Sequence, residues 1–228
     1  MSQAELSYEI LPDNYKDYDL SYKLIVVGDC GVGKSCLTLK ATKNYFEENY
    51  KSTVGFEFCT FNIKINESII KMQIWDTCGQ EAYKSLISSF YKNAILAILV
   101  YSIDNYESFE NIKLWLNELK IHSNPDVKIF LIGNKIDLED KRVITKEMAE
   151  EFKNNNKINF FIETSAKTGF NAKNVFIEAA KQLYEENKNY KERAQKIGNA
   201  DEIMFTNPTE NLKINDEELN YRKKKGCC

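Results

Sequence analysis

The chain has 228 residues, 43% of them hydrophobic, with a formal net charge of −3 and a pI near 5.5. That is enough for one domain of ordinary size with a real core plus tails. The acidic balance excludes a general nucleic-acid-binding surface, and the longest apolar run, Ala94–Tyr101, is far too short to cross a bilayer. The six cysteines (Cys30, Cys36, Cys59, Cys78, Cys227, Cys228) include no C-x-x-C pair and no zinc-ligand spacing with the lone His122, so they point to a reduced cytosolic protein.

Residues 1–20 are polar, acidic and aromatic and are interrupted by Pro12. They read as a flexible N-terminal arm, not as a signal peptide. SYKLIVV (residues 21–27) then has the β-branched content of a buried strand, and LTLKATKNYF (residues 37–46) can begin as a helix. Between them GDCGVGKSC fits G-x-x-x-x-G-K-[ST]. Gly28, Gly31 and Gly33 allow backbone conformations that a side chain forbids and a close approach to a ligand. Successive N–H groups form an anion nest at a helix N-terminus. Lys34 brings a charge to the outer phosphates, and the Ser35 hydroxyl is placed to ligate Mg²⁺.

Phe56–Asn66 alternates with period two, and Ser68–Asp76 reads as its antiparallel partner through a short turn. Ala94–Tyr101 is the next strand. Ser108–His122 reads as one helix, with Phe109, Ile112, Leu116 and Leu119 along one face. Lys128–Gly133 is a strand, Thr145 caps a helix running towards Asn154, Asn159–Thr164 is the last strand and Asn171–Asn187 the last helix. The reading is α/β: a phosphate-loop NTPase with a six-stranded, mostly parallel sheet and helices on both faces. Its ligand should sit beyond the carboxyl ends of the strands. The domain spans residues 21–187. Residues 188–228 are polar, lack an apolar face and read as a disordered tail.

Four further short motifs follow strands: STVG with Thr53, WDTCGQE (Trp75–Glu81), GNKID (Gly133–Asp137) and ETSAK (Glu163–Lys167). With the phosphate loop they resemble the small GTPases of the Ras superfamily over about residues 21–187. KMQIWDTCGQE, SSFYKNA (Ser88–Ala94) and the terminal CC resemble the Rab branch, and HSNPDVKIFLIGNKIDL is most similar to its Golgi and recycling-endosome group.

The resemblance implies a switch that hydrolyses GTP to GDP and phosphate and recruits effectors in vesicle traffic. It implies nucleotide contacts from Gly28, Gly31, Val32, Gly33, Lys34, Ser35 and Cys36 in the phosphate loop. Asp137 would accept from guanine N1–H and the 2-amino group, whereas adenine would leave that carboxylate unpaired. Asn134 belongs to the same base-reading motif, and Lys135 would cover the base. Ser165 and Ala166 form the second base loop, Lys167 would stack opposite, and Phe46 would pack against the base. Thr53 matches the switch threonine, Ser35, Thr53 and Asp76 the Mg²⁺ set, and Gly79 the γ-phosphate donor. Gln80 would orient the attacking water, with Lys34 the second catalytic group.

The chain contains only Arg142, Arg193 and Arg222, none of them in a switch motif. Fast turnover therefore calls for an activating protein that supplies a cation in trans. Exchange factors, a GDP-dissociation inhibitor and a prenylation escort protein are the other partners implied. One departure is Cys78, where the family has alanine; it reads as a small buried filler. The ending RKKKGCC matches a tail that carries two geranylgeranyl groups on Cys227 and Cys228 beside a basic run. That implies the cytoplasmic face of a Golgi or endosomal membrane, with cycling through the cytosol. A metabolic phosphotransferase would need a second substrate pocket and an arginine-bearing lid, and neither is visible. A non-hydrolysing binding module is opposed by the intact Gln80.

Overall fold

A computed structural model describes residues 6–48, 50, 53, 55–78 and 90–197. Strands β1 (Tyr8–Leu11), β2 (Leu20–Val27), β3 (Phe56–Ile65), β4 (Ser68–Thr77), β5 (Leu96–Ser102), β6 (Lys128–Asn134) and β7 (Phe160–Glu163) form one sheet in the order β1-β3-β4-β2-β5-β6-β7. The pairs β1/β3 and β3/β4 are antiparallel, and every other pair is parallel. The helices are α1 (Lys34–Lys43), α2 (Tyr106–Glu110), α3 (Ile112–His122), α4 (Lys146–Asn155) and α5 (Ala172–Ile197).

The central strands are buried along their whole length because helices cover both faces. Period-two alternation divides each strand between two cores. Leu24 and Val26 of β2, Ile98 and Val100 of β5 and Ile132 of β6 pack with Leu37 of α1 and Val175, Phe176 and Ala179 of α5. Ile25, Val27, Leu99 and Leu131 pack with Phe109 of α2, Trp115 and Leu116 of α3 and Phe152 of α4. Such a sheet leaves its polar groups one place to emerge, the carboxyl ends of the strands.

Three expectations need correction. The sheet has seven strands, not six, because part of the supposed flexible arm is β1. Tyr8–Leu11 pairs with Asn62–Ile65, which covers part of the edge of β3. Asn62 Nδ2 then donates to the carbonyls of Pro12 (2.7 Å) and Asp13 (3.2 Å), and Asp19 N–H reaches Ile69 O at 2.9 Å. The single helix expected over Ser108–His122 is two helices that meet at Asn111, with Asn105 capping the first through Ser108 N–H. The last helix runs beyond Asn187 to Ile197. Residues 186–228 form a unit separate from residues 1–185, and its described part, residues 186–197, is helical.

The cap on α4 is as expected: Thr145 Oγ1 accepts from Met148 N–H at 3.2 Å.

Asn62 is 2% exposed and holds two backbone carbonyls of the N-terminal segment. Asn62→Ala should cost about 1–2 kcal/mol of stability and open residues 12–19 to limited proteolysis. Denaturant melts together with mapping of the cleavage sites check this; an unchanged melt and intact residues 12–19 would contradict the role of the side chain.

Candidate nucleotide-binding site

The phosphate loop joins β2 to α1. Gly33 caps α1 in the left-handed region (φ 93°) with no side-chain cap, which leaves the first N–H groups of the helix open to an anion. A Cβ at Gly33 would lie 2.5 Å from Asn134 Nδ2, and one at Gly28 (φ 143°) would run into the Val100 carbonyl. Both positions therefore need glycine, for backbone angle and for space.

Lys34 is 5% exposed, and its Nζ donates to the carbonyls of Gly28 and Asp29, both at 2.8 Å. Burial pulls its pKa below the usual lysine range, with the charge of Asp76 the largest opposing influence.

Ser35 is the second residue of α1, Thr53 lies on the segment before β3, and Asp76 stands near the end of β4. The Ser35 and Thr53 hydroxyl oxygens are 2.7 Å apart. Asp76 is 1% exposed, and neither carboxylate oxygen has a hydrogen-bond partner among the described residues. Burial pushes its pKa up to about 7, against the lowering influence of Ser35 and Lys34. An orphaned buried carboxylate beside two hydroxyls is a set of hard oxygen donors, which suits a small divalent cation that takes its remaining ligands from water and phosphate. Cys78 is buried, as a filler should be, and its N–H donates to Gly55 O at 3.0 Å, tying the end of β4 to the start of β3.

The residues expected to read the base come from the ends of β6 and β7. Asn134 is fully buried and does not face the cleft as a free ligand group. Its Nδ2 donates to Val32 O at 2.9 Å, and its Oδ1 accepts from Thr164 Oγ1 at 3.1 Å and Ala166 N–H at 3.2 Å. Lys135 takes a left-handed backbone (φ 68°) that turns the chain into a short 3₁₀ helix, Ile136–Lys141. Ser165 is also buried, and its Oγ donates to Asp137 Oδ1 at 2.5 Å while accepting from Thr168 N–H at 3.0 Å. Its role in the structure is to orient Asp137.

One cleft of about 370 Å³ joins these groups. It is lined by Gly31, Gly33, Lys34, Ser35 and Cys36 at one end and by Asn134, Lys135, Asp137, Ala166 and Lys167 at the other, with Phe46 and Thr53 along the side. Phe46 also packs against the α1/α5 core. Lys167 Nζ meets Glu48 Oε1 at 2.8 Å across the opening. Gly79, Gln80, Cys227 and Cys228 lie outside the described residues.

Sequence reasoning missed Arg142. Its guanidinium is largely buried and holds Glu139 through Nε and Nη2 (2.8 Å each), Glu163 through Nη1 (2.6 Å) and the Ile144 carbonyl (2.9 Å). It thereby ties the 3₁₀ helix that contains Asp137 to the strand before Ser165. Nothing in its local sequence signals this, because Glu163 is 21 residues away.

Residues 23–185 match the model of the Ras family. The chain belongs to the Ras family. It is 40% identical over 212 residues to the Ras-related protein RABA1g of Arabidopsis thaliana and 38% identical over 212 residues to the Ras-related protein Rab11B of Nicotiana tabacum. It is also 38% identical over 213 residues to the Ras-related protein YPT3 of Nicotiana plumbaginifolia. Each alignment covers 93% of this chain and 95% of the relative. This Ras-family chain is thus of the Rab11-like type: a GTPase that binds GTP and GDP, hydrolyses GTP and regulates vesicle traffic on endomembranes, together with exchange factors, activating proteins and effectors.

The pKa of Asp76 gives a signed prediction. A carboxyl whose folded-state pKa is raised from 3.8 to about 7 keeps its proton in the folded state while the unfolded chain has lost it. Stability therefore falls as pH rises through that window. In the nucleotide-free, chelator-treated protein, Asp76→Asn should raise the melting temperature at pH 8 and change it little at pH 4. Thermal melts at the two pH values check this, and a variant less stable than wild type at pH 8 would contradict it.

Proposed function

We propose that this Rab-type GTPase binds Mg²⁺ with the nucleotide, through the Ser35 and Thr53 hydroxyls and the Asp76 carboxylate. The observation that carries the reading is Asp76, a buried carboxylate with both oxygens unpartnered among the described residues, beside the 2.7 Å pair of hydroxyls. Bound there, the ion would neutralise and orient the outer phosphates. Lys34, already fixed by two loop carbonyls, meets the same phosphates without having to be ordered first. Thr53 reaches the cation site from a segment that can be held or released according to the phosphate present. Gly79 donates to the γ-phosphate, and Gln80 orients water for attack.

At the far end of the cleft, Asp137 accepts from the guanine edge, with Ser165 holding its other contact. Ala166 N–H, Lys135, Lys167 and Phe46 complete the base site. The preference for guanine comes from the Asp137 carboxylate, exposed until a bound base covers it, which adenine would leave unpaired.

A cluster of aromatic rings, one exposed and the others half-buried, lies on β3 and β4 between Thr53 and Asp76 and beside Phe90. Phe56 is 41% exposed and lies 5.3 Å from the Trp75 ring and 4.6 Å from Phe90, and Phe58 stands 5.3 Å from Trp75. An apolar face attached to Thr53 through Gly55 suits effectors that read the nucleotide state.

The membrane attachment is two geranylgeranyl groups on Cys227 and Cys228, supported by the basic run before them and served by an escort protein and a GDP-dissociation inhibitor. Two chains give stable anchoring where one is marginal. The compartment is Golgi or endosomal, in keeping with the Rab11-like relatives.

Two experiments test this reading. Asp137→Asn should shift preference from GDP towards XDP, because an amide can donate to the 2-oxo group of xanthine; competition binding measures it, and an unchanged preference would defeat the base assignment. Cys227→Ser together with Cys228→Ser should leave GDP affinity intact and move the protein to the cytosolic fraction. Persistence on membranes would place the anchor elsewhere.

A further inference from the structure

We infer that Asp29, Asn111 and Trp115 form a clamp through which the α2–α3 junction sets the position of the phosphate loop and, through it, of Lys34. The inference rests on the GTPase reading of the cleft. Asp29 follows Gly28 in the loop. Its Oδ1 accepts from Trp115 Nε1 at 2.8 Å and its Oδ2 from Asn111 Nδ2 at 2.8 Å. Its own backbone carbonyl accepts from Lys34 Nζ, also at 2.8 Å. One residue thus grips the helix layer with its side chain and the phosphate-binding lysine with its main chain.

The two donors are well fixed. Trp115 is 4% exposed and sits in the core beneath the sheet. Asn111 is the residue at which α2 ends and α3 begins; its N–H donates to Glu107 O at 2.9 Å, and its carbonyl accepts from Leu114 N–H at 2.9 Å and Trp115 N–H at 3.2 Å. A carboxylate with each oxygen on a different rigid donor is held in orientation as well as in place, and the attached peptide follows. The loop is pinned a second time at Val32, by Asn134. The Gly-rich stretch between these two pins keeps the freedom it needs to wrap an anion, and the carbonyls that hold Lys34 are kept still. Asp29 needs no contact with substrate for this; it is a positioning residue that acts through Lys34.

Asn111→Asp tests the clamp, because it sets a second carboxylate against Asp29 Oδ2, acceptor to acceptor, and leaves that oxygen without a donor. Release of a fluorescent GDP should become roughly ten-fold faster, and single-turnover GTP hydrolysis should slow. Adding Asp29→Asn supplies a donor towards the new carboxylate and keeps an acceptor for Trp115 Nε1, and release should return to within about three-fold of wild type. Loss of packing alone would not be rescued by that exchange. Should Asn111→Asp fold poorly, Trp115→Phe keeps an aromatic ring and removes the Nε1 donor; it should speed release as well. Wild-type release rates in Asn111→Asp or Trp115→Phe, or no recovery in the double variant, would overturn the clamp. In the same assay the unmodified protein must bind GDP and reject ADP. Failure there would defeat the reading of the cleft, whereas normal wild-type behaviour with unaffected variants defeats the clamp alone.

Discussion

The side chain of Asn134 joins three loops that start from three different strands. One nitrogen holds the phosphate loop at Val32, and one oxygen holds both Thr164 and Ala166. Each group is buried, so none can turn to water if the amide is lost, and each unpaired group would cost about 1–3 kcal/mol. The phosphate end and the base end of the cleft are thereby parts of one rigid frame. A nucleotide that meets one end finds the other already placed, which lowers the ordering cost of binding.

The same burial bears on the charge that the site would accept. Lys34 and Asp76 are charged types enclosed by a sheet covered on both faces, and burial works against the charged form of each. In such surroundings Coulombic interactions are stronger than in water. On the proposed reading, a triphosphate and a divalent cation would supply the missing opposite charges, so binding would offset the burial of both groups. Arg142, by contrast, is satisfied by protein groups, and it ties the segment of Asp137 to the end of β7.

Much of this is legible from residue order. The phosphate loop is a local motif, and Gly28 and Gly33 occupy positive φ as their places in it require. The strands rich in β-branched residues lie within a residue or two of where their patterns put them. What escaped depends on distance in sequence or on weak local signals. Tyr8–Leu11 is four residues beside a proline, too short to show a period, and it becomes a strand because β3 offers an edge. Asn111 breaks an otherwise periodic helical face, and its partner Asp29 is 82 residues away. Residues 188–197 lack an apolar stripe yet extend α5, in a run of Lys, Glu and other good helix formers. Sequence motifs single out Asn134 and Ser165 as base-site candidates, but their work in holding loops and orienting Asp137 is visible only in three dimensions.

The claim that one buried amide unites the two ends of the cleft is tested most directly by the rate of GDP release from Asn134→Ala, measured with a fluorescent analogue under conditions where saturating GDP keeps the variant folded. The account predicts release at least about ten-fold faster than wild type, with weakened discrimination between GDP and IDP as the base loops lose their tie. Release and discrimination unchanged from wild type would contradict it.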